Sequence, residues 1–174
     1  KTKIKKIRKI TKKNKINLQF ITAPENVAWL LNIRGHDSNY SPLPNGYIII
    51  SDKKVNFFCN KKKIDSNLKK FLKNVNIIDI NYINIFLNKI EGKRIQIDNN
   101  SCSIAFKNIL DKNNSLVETL DPVYFLKSIK NKVEINNTFK AHVDDGAALT
   151  KFLIWVKKNY KKNKITEISA QEKL

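Results

Sequence analysis

The chain contains 174 residues, 41% of them hydrophobic and 28% charged, so it can bury a core without the support of disulfides. No apolar run approaches the roughly 20 residues that cross a bilayer, and the basic start of the chain lacks the apolar part of a signal peptide. Two cysteines make no disulfide framework. These three observations predict a reduced, cytoplasmic protein without membrane contact. The net charge of +19 would suit a phosphate-binding surface, but arginine occurs only at Arg8, Arg34 and Arg94 and the lysines are scattered, which favours a solvated basic surface over a nucleic-acid interface.

The first forty residues predict a helix, a strand and a second helix. Residues 1–14 place isoleucines at a spacing of three among lysines, which is typical of an amphipathic helix, and we expect it to pack on a sheet. Residues 17–22 read as a strand. Pro24 and Glu25 suit the first turn of the next helix, and Gly35 is the predicted stop because glycine readily takes the left-handed conformation at a helix end.

A short polar loop follows this helix. The stretch HDSNYSPLPNG holds His36, Asp37 and Tyr40 together with two prolines, and loops of this kind are where functional residues concentrate. Two apolar runs, 46–51 and 54–59, then predict a hairpin around Asp52 and Lys53.

The next segment alternates between helices and strands. Asp65 or Ser66 is expected to cap a helix, and Asp121 with Pro122 to open another. The predicted helical faces carry Leu68, Phe71 and Leu72 in one helix and Ile83, Phe86 and Leu87 in the next. Strands are predicted at 74–80, 94–97 and 116–120, with a helix at 103–110. This alternation indicates an α/β layer with a mixed or mostly parallel sheet.

The pattern changes near residue 130. Residues 134–160 predict one long helix whose apolar face comprises Phe139, Val143, Ala147, Leu149, Phe152, Leu153 and Val156. Gly146 is expected to mark a close helix contact. After a lysine-rich turn, Ser169 and Glu172 have capping-box spacing, so the chain would end within the first turns of a helix. We therefore expect a polypeptide cut short of its full fold.

Two separated blocks resemble one family. ENVAWLLNIRG, followed by the polar loop and GYIIIS, resembles the middle domain of three-domain Xaa-Pro aminopeptidases, and LKSIKNKVEINNTFKAHVDDGAALTKFLIWVKK with ITEISAQEKL resembles the end of that domain and the entry into the catalytic domain. The resemblance implies a creatinase N-terminal-like α/β domain, with a mixed sheet flanked by helices, over 1–129. Residues 130–174 would be the first helices of a truncated pita-bread catalytic domain.

The resemblance also implies an activity for the complete enzyme. Such enzymes remove an N-terminal residue that precedes proline, with two divalent metals, manganese or zinc, activating a bridging hydroxide. The family's metal ligands lie beyond Leu174, so we expect no catalytic residue, metal or other cofactor in this chain and no activity from it alone. Expected partners are peptides with proline in the second position, the rest of the catalytic domain and a second subunit. The alternative is a non-enzymatic basic module that binds nucleic acid or serves as a scaffold.

The candidate site residues are Arg34, His36, Asp37 and Tyr40, which the resemblance suggests as a substrate-access loop. Two simpler interpretations stay open: the loop is held by its own turns, and Arg34 caps the carbonyls of its helix end. A zinc site built from His36, Cys59, Cys102 and His142 is not favoured, because no pair has ligand-like spacing. Asp144 and Asp145 are adjacent on the predicted helix and point in different directions, so they are poor partners for binding one metal ion.

Overall fold

The computed structural model describes residues 2–161 and 165–174, and the chain divides into two compact units, Lys1–Ser128 and Ile129–Leu174. Each unit is described separately below. Part of the lysine-rich turn expected after the long helix falls on 162–164, which lie outside the described residues.

The first unit contains six strands and six α-helices among its described residues. Its first half comprises α1 (Thr2–Lys13), β1 (Leu18–Ile21), α2 (Pro24–Leu31), β2 (Gly46–Ile50), β3 (Val55–Cys59), a 3₁₀ helix (Lys61–Lys63) and α3 (Ser66–Phe71). Its second half comprises β4 (Asn76–Asp79), a second 3₁₀ helix (Ile80–Tyr82), α4 (Ile83–Asn88), β5 (Arg94–Ile97), α5 (Ile104–Asp111), β6 (Ser115–Glu118) and α6 (Pro122–Ser128).

The six strands form one mixed sheet in the order β4-β3-β2-β1-β5-β6. The hairpin strand β2 pairs antiparallel with both β1 and β3, whereas the pairs β3–β4, β1–β5 and β5–β6 are parallel. Strand β2 therefore runs against the other five. The carboxyl ends of those five strands and the start of β2 meet at one edge, which is the edge that carries ligands in open α/β sheets.

Helices cover both faces of the sheet, because alternate side chains of each strand point to opposite sides. Ile21 and Phe57 face a cluster completed by α1, α2, α6 and the end of α3, while Phe20 and Phe58 face a cluster completed by α4 and α5. The predicted α/β class with a mixed sheet flanked by helices is thus confirmed, as is the packing of α1 on the sheet through the buried Ile7.

Local capping signals set several helix starts, and one sequence prediction in this part, the burial of Phe71, is corrected. The Asp65 carboxylate accepts from the Leu68 N–H, and the Ser103 hydroxyl accepts from the Phe106 N–H, as N-cap residues do. Phe71, expected on the inner face of α3, is 60% exposed because that helix is only six residues long and Leu72 follows it into the core.

The second unit contains a 28-residue helix, α7 (Lys132–Asn159), and a short one, α8 (Glu167–Lys173). Asn131 and Glu134 form a reciprocal capping box at the start of α7. The capping box of α8 joins Thr166 and Ser169, not Ser169 and Glu172 as predicted, because the helix begins three residues earlier. None of the described helices combines the length and apolar character needed to span a bilayer.

The apolar residues of the second unit are largely uncovered. Several large ones stand exposed along the two helices: Val133, Ile135, Phe139, Val143, Leu149, Leu153, Ile154 and Ile168. The prediction that Gly146 marks a close contact is wrong for the described residues, since nothing lies within 4 Å of a Cβ built at this glycine. The seven-residue helix α8 is too short to bury the apolar face of the 28-residue helix α7, so that face is an unpartnered surface of this unit.

Candidate functional site

The polar loop begins where α2 ends, and that end is set by Asn32. Asn32 takes the left-handed conformation with φ 56° and ψ 46°, and its N–H bonds the carbonyls of Ala28 and Trp29. Asparagine tolerates this conformation better than most residues, because its short side chain can hydrogen-bond locally. The prediction that Gly35 stops the helix is therefore wrong by three positions.

Gly35 has a different structural role, which is to let two backbone segments of the loop approach. A Cβ at Gly35 would lie 2.7 Å from the Pro44 Cα, and the Gly35 N–H donates to the Pro42 carbonyl at 3.2 Å. The neighbouring backbone leaves no room for a side chain. Glycine is thus required by the closure of the loop on itself.

We expect Gly35→Ala to lower the free energy of unfolding by about 1–3 kcal/mol, because a methyl group must displace rigid backbone. Chemical denaturation followed by tryptophan fluorescence measures the change. Gly146→Ala is the matched control: it adds the same methyl group where there is open space, in a helix that alanine favours. Equal stability of Gly35→Ala and the wild type would contradict the close approach.

Asp37 closes the base of the loop. Its carboxylate accepts from the Asn45 N–H at 2.7 Å and forms an ion pair with the Lys63 ammonium of the 3₁₀ helix that follows β3. The hydrogen bond from Lys63, followed by that from Asn45, lowers the pKa of Asp37 below its ordinary value. The carboxylate therefore stays ionised at neutral pH and ties the two ends of the loop to a separate part of the sheet edge.

Tyr40 stands at the tip of the loop. An isolated bridge between Ser38 and Ser41 forms the turn that carries it, and Tyr40 itself has φ 62° with a fully exposed side chain. A bulky residue with positive φ is unusual and costs conformational energy. The loop thus presents an aromatic ring to the outside on a turn whose base is anchored.

The other two candidates, Arg34 and His36, lie on the wall of a cavity of about 420 Å³ at this edge of the sheet. The Arg34 guanidinium donates to the carbonyl of its neighbour Ile33 at 2.9 Å, and this carbonyl lies beyond α2 and its C-cap Asn32, so the bond is not the predicted cap of the helix-end carbonyls. Asp37 lines the same cavity, whereas the fully exposed Tyr40 is not among the residues that line it. The structure therefore brings three of the four predicted residues together and sets the fourth at the loop tip.

Sequence reasoning missed Lys63, Asn45 and Asn60, which also line the cavity. The run of three lysines, 61–63, read as a solvated turn, and nothing local marked the third as the partner of Asp37, 26 residues earlier. The only usable signal was a lysine four residues after the end of a strand, on the same edge of the sheet as a loop that contains an acidic residue.

Neither cysteine is prepared for nucleophilic chemistry. Burial raises the pKa of the Cys59 thiol to about 11 and that of the Cys102 thiol to about 11, so both are protonated at neutral pH. Within residues 2–161 and 165–174 no group of three or more His, Cys, Asp or Glu is placed to hold a metal ion. The described residues thus do not fit the two divalent metals that the resemblance implies for the complete enzyme.

A buried polar network holds α6 against α2 and the sheet. The fully buried Asn26 side chain donates to Asp121 Oδ2 at 2.8 Å and accepts from Lys127 Nζ at 2.7 Å. The other carboxylate oxygen of Asp121 accepts from the Val123 N–H at 2.9 Å, and the Asp121 N–H donates to Asp98 Oδ2 at 3.1 Å. The network joins α2, α6 and the end of β5.

The first unit has a mixed six-stranded sheet, helices on both faces and an anchored loop at the carboxyl edge of the sheet. These features define an α/β domain of a known class. The model of the creatinase/prolidase N-terminal domain matches residues 1–134. The chain belongs to this family, which confirms the resemblance stated above. Several curated relatives are Xaa-Pro aminopeptidases.

Two of these relatives illustrate how much of the longer protein is matched. Xaa-Pro aminopeptidase 1 of Dictyostelium discoideum is 33% identical over 180 residues, which cover 99% of this chain and 28% of that enzyme. Xaa-Pro aminopeptidase 2 of Homo sapiens is 27% identical over 161 residues, covering 87% of this chain and 24% of that enzyme. The chain spans less than a third of the length of these relatives.

Solved structures agree with the family assignment. The X-prolyl aminopeptidase of Caenorhabditis elegans, described as a cytosolic enzyme with a di-nuclear active site, is 26% identical and superposes with a TM-score of 0.86 over 99% of this chain and 29% of that one. The N-terminal domain of a putative metallopeptidase from Corynebacterium diphtheriae is 14% identical, with a TM-score of 0.51 over 68% of this chain and 94% of that one, a likeness in fold alone.

Proposed function

We propose that this chain is the accessory N-terminal part of an Xaa-Pro aminopeptidase, and that the loop from Arg34 to Asn45 controls peptide access to a metal centre supplied by a further part of the enzyme. The observation that carries the proposal is the anchored loop, with Asp37 fixed at its base and Tyr40 fully exposed at its tip. Family membership and the relatives' names supply the reaction class.

The domain boundary belongs to the same proposal. Residues 1–129 would form the creatinase N-terminal-like domain, and residues 130–174 would be the entry helices of the catalytic domain. The exposed apolar residues of α7 support this division, because a helix that carries Phe139, Val143 and Leu153 uncovered needs further chain to bury them. The rest of the catalytic domain is the proposed partner of that face.

In the complete enzyme, we infer, the substrate is a peptide with proline in the second position and the reaction is metal-assisted hydrolysis before the proline. The contribution of this chain is steric and electrostatic. The ring of Tyr40 limits the width of the approach, and Arg34 with His36 lines a cavity beside it. We further propose a cytoplasmic location, in keeping with the cytosolic relative from Caenorhabditis elegans. A homodimer of the complete enzyme is proposed as well.

The access proposal predicts a length-dependent effect of Tyr40→Ala in a polypeptide that also carries the metal-binding part. For peptides of about eight residues we expect KM to change by roughly threefold to tenfold, with kcat unchanged, since removal of a wall alters binding and leaves the chemistry intact. Tripeptides should be unaffected. Steady-state kinetics over a series of Xaa-Pro peptides of increasing length provides the measurement.

Tyr82→Ala is the matched control, because Tyr82 is another exposed tyrosine, at 59% exposure, outside the loop. Equal length profiles for Tyr40→Ala and Tyr82→Ala would reject the access role of the loop. A separate test addresses the enzyme class: the 174-residue chain alone, incubated with manganese and an Xaa-Pro peptide, should give no turnover. Turnover with stoichiometric metal would overturn the assignment of the chemistry to another part of the polypeptide.

The coding sequence downstream of Leu174 gives the most direct evidence. Continuation into two aspartates, a histidine and two glutamates at metallopeptidase spacing would establish the enzyme class. A stop codon would instead favour a non-enzymatic basic module that binds nucleic acid or acts as a scaffold.

A further inference from the structure

A groove of about 710 Å³ lies between α3 and the edge strand β4, and it shares Ile64 with the cavity beside the loop. Its floor is apolar and comprises Ile64, Leu72, Val75 and Ile77, all of which pack on the core cluster of that face. A cavity of this size accommodates several side chains. The groove therefore offers apolar contact area directly beside a strand edge.

The strand that borders the groove has one open side. β4 pairs only with β3 in the described part of the chain, in parallel register from Asn76 to Asp79. In a parallel ladder the N–H and C=O groups that do not bond one neighbour point to the other side. Four residues span about 13 Å of free edge, which is enough to pair with a short extended segment.

Lysines surround this groove. Lys61, Lys69, Lys70 and Lys73 line it, and none of the four ammonium groups forms an ion pair with the described residues. Residues 61–73 contain six lysines and one acidic residue, Asp65, whose carboxylate already accepts from the Leu68 N–H. The field around the groove is therefore positive and lacks a compensating anion among these residues.

Lysines often protect edge strands against unwanted pairing, but then they stand on the edge strand itself. Here β4 reads Asn76-Ile77-Ile78-Asp79 and has no lysine. The cations instead lie on the 3₁₀ helix and on α3, so they flank the edge and leave it open. Lysines in this arrangement attract an acidic polypeptide segment to the open edge of β4, whereas lysines on the strand itself would prevent any segment from pairing with it.

We propose that this edge groove binds an extended acidic segment of another protein, which adds a strand to β4. Backbone hydrogen bonds to the open edge would hold the segment, its apolar side chains would enter the groove, and its carboxylates would lie beside the four lysines. Nucleic acid fits less well, because the groove has no arginine for bidentate phosphate contacts and its apolar floor is suited to aliphatic side chains.

The test uses the 174-residue chain and a fluorescein-labelled nonapeptide of alternating valine and glutamate, titrated by fluorescence anisotropy at physiological ionic strength. We expect saturable binding, and amide shifts in ¹⁵N spectra that centre on Asn76–Asp79 and α3. The same peptide with alternate backbone amides N-methylated should bind at least about tenfold more weakly, since it cannot pair with a strand.

A charge-matched pair of variants locates the site. Lys69→Glu combined with Lys73→Glu should weaken binding by about tenfold or more, whereas Lys5→Glu with Lys9→Glu, on the exposed side of α1, should change it by less than about threefold. Circular dichroism melts of both variants verify that they are folded. An equal loss in the two variants would overturn the proposal.

Competition identifies the class of partner. An oligouridylate with the same number of negative charges should displace the peptide at least about tenfold less effectively than unlabelled peptide does. Equal displacement, undiminished binding of the N-methylated peptide, or shifts that avoid β4 would each reject strand addition. Absence of binding by the unmodified peptide would reject it as well.

Discussion

Replacing Asn26 by leucine is expected to lower the free energy of unfolding by about 3 kcal/mol, a large share of the stability of a small domain. The side chain is fully buried and bonds both Asp121 and Lys127. Leucine has a similar volume, so the loss comes from polar groups left behind and not from a cavity. Asp121 would retain the Val123 N–H but would lose its side-chain donor inside the protein.

Removing one partner of a buried charged group costs more than the bond itself, because the remaining charge must stay desolvated without compensation. Lys127 is less affected, since its ammonium also lies 3.9 Å from Glu25 Oε1 and 4.3 Å from the centre of the Tyr124 ring. The expected penalty therefore falls mainly on Asp121. The consequence is a weaker attachment of α6, the last element of the first unit.

Guanidinium denaturation followed by circular dichroism measures this loss. Asn108→Leu is the matched control: it makes the same substitution at an exposed position of α5 and should change stability by no more than about 0.5 kcal/mol. If Asn26→Leu cost less than about 1 kcal/mol, the network would not be what attaches α6.

Most of the fold could be predicted from the sequence because its signals are local. Apolar runs rich in β-branched and aromatic residues identified β2 and β3, Asp65 marked a helix start through its own side chain, and Pro24 marked the first turn of α2. Each of these signals is contained within four or five residues. The alternation of these elements predicted the α/β layer with a mixed or mostly parallel sheet, and the family resemblance then implied the same class of fold.

The sequence predictions that were wrong or incomplete share one physical cause: the contact that determines the role of each residue is made with a residue distant in the sequence. Gly35 looked like a helix stop, but it is required by Pro44 across the loop, and Asn32 stops the helix. Lys63 reads as one lysine among three until the fold brings Asp37 to it. Asn26, within an apolar helical stretch, gives no hint of a partner 95 residues later.

The candidate site shows the same division between local and distant signals. The composition of the loop selected His36, Asp37 and Tyr40, and the resemblance added Arg34 and suggested the role of a substrate-access loop. It could not predict that Asp37 anchors the loop while Tyr40 is exposed at its tip, because those roles depend on Asn45 and on an element beyond two strands.

The second large effect concerns pH and the same buried carboxylate. Asp121 is only 1% exposed, and this burial raises its pKa to about 6 from the ordinary 3.8, although the Val123 N–H and the Asn26 amide act in the opposite direction. Asp98 raises the pKa further and Lys127 lowers it. The folded protein therefore holds a proton on this group over a range of pH in which the unfolded chain has already released it.

Proton binding determines whether the contribution of Asp121 to stability rises or falls with pH. Between about pH 4 and pH 6 the folded state binds more protons at Asp121 than the unfolded state does, so the contribution of this group to stability decreases as pH rises. The gap between 3.8 and about 6, at 1.36 kcal/mol per pH unit, gives a decrease of about 3 kcal/mol by pH 7. Asp37 acts in the opposite sense, because its pKa is lowered and its contribution is lost as pH falls.

The contribution of Asp121 is separated from that of Asp37 by subtracting the free energy of unfolding of a variant that lacks the Asp121 carboxylate from that of the wild type. The free energy of unfolding of the wild type minus that of Asp121→Asn should fall by up to about 3 kcal/mol between pH 4 and pH 7, whatever constant offset the amide introduces. The corresponding difference for Asp111→Asn, at an exposed carboxylate of α5, should lack this fall. A difference that rises with pH for Asp121→Asn would mean that the network stabilises the ionised carboxylate, and that its hydrogen bonds outweigh burial.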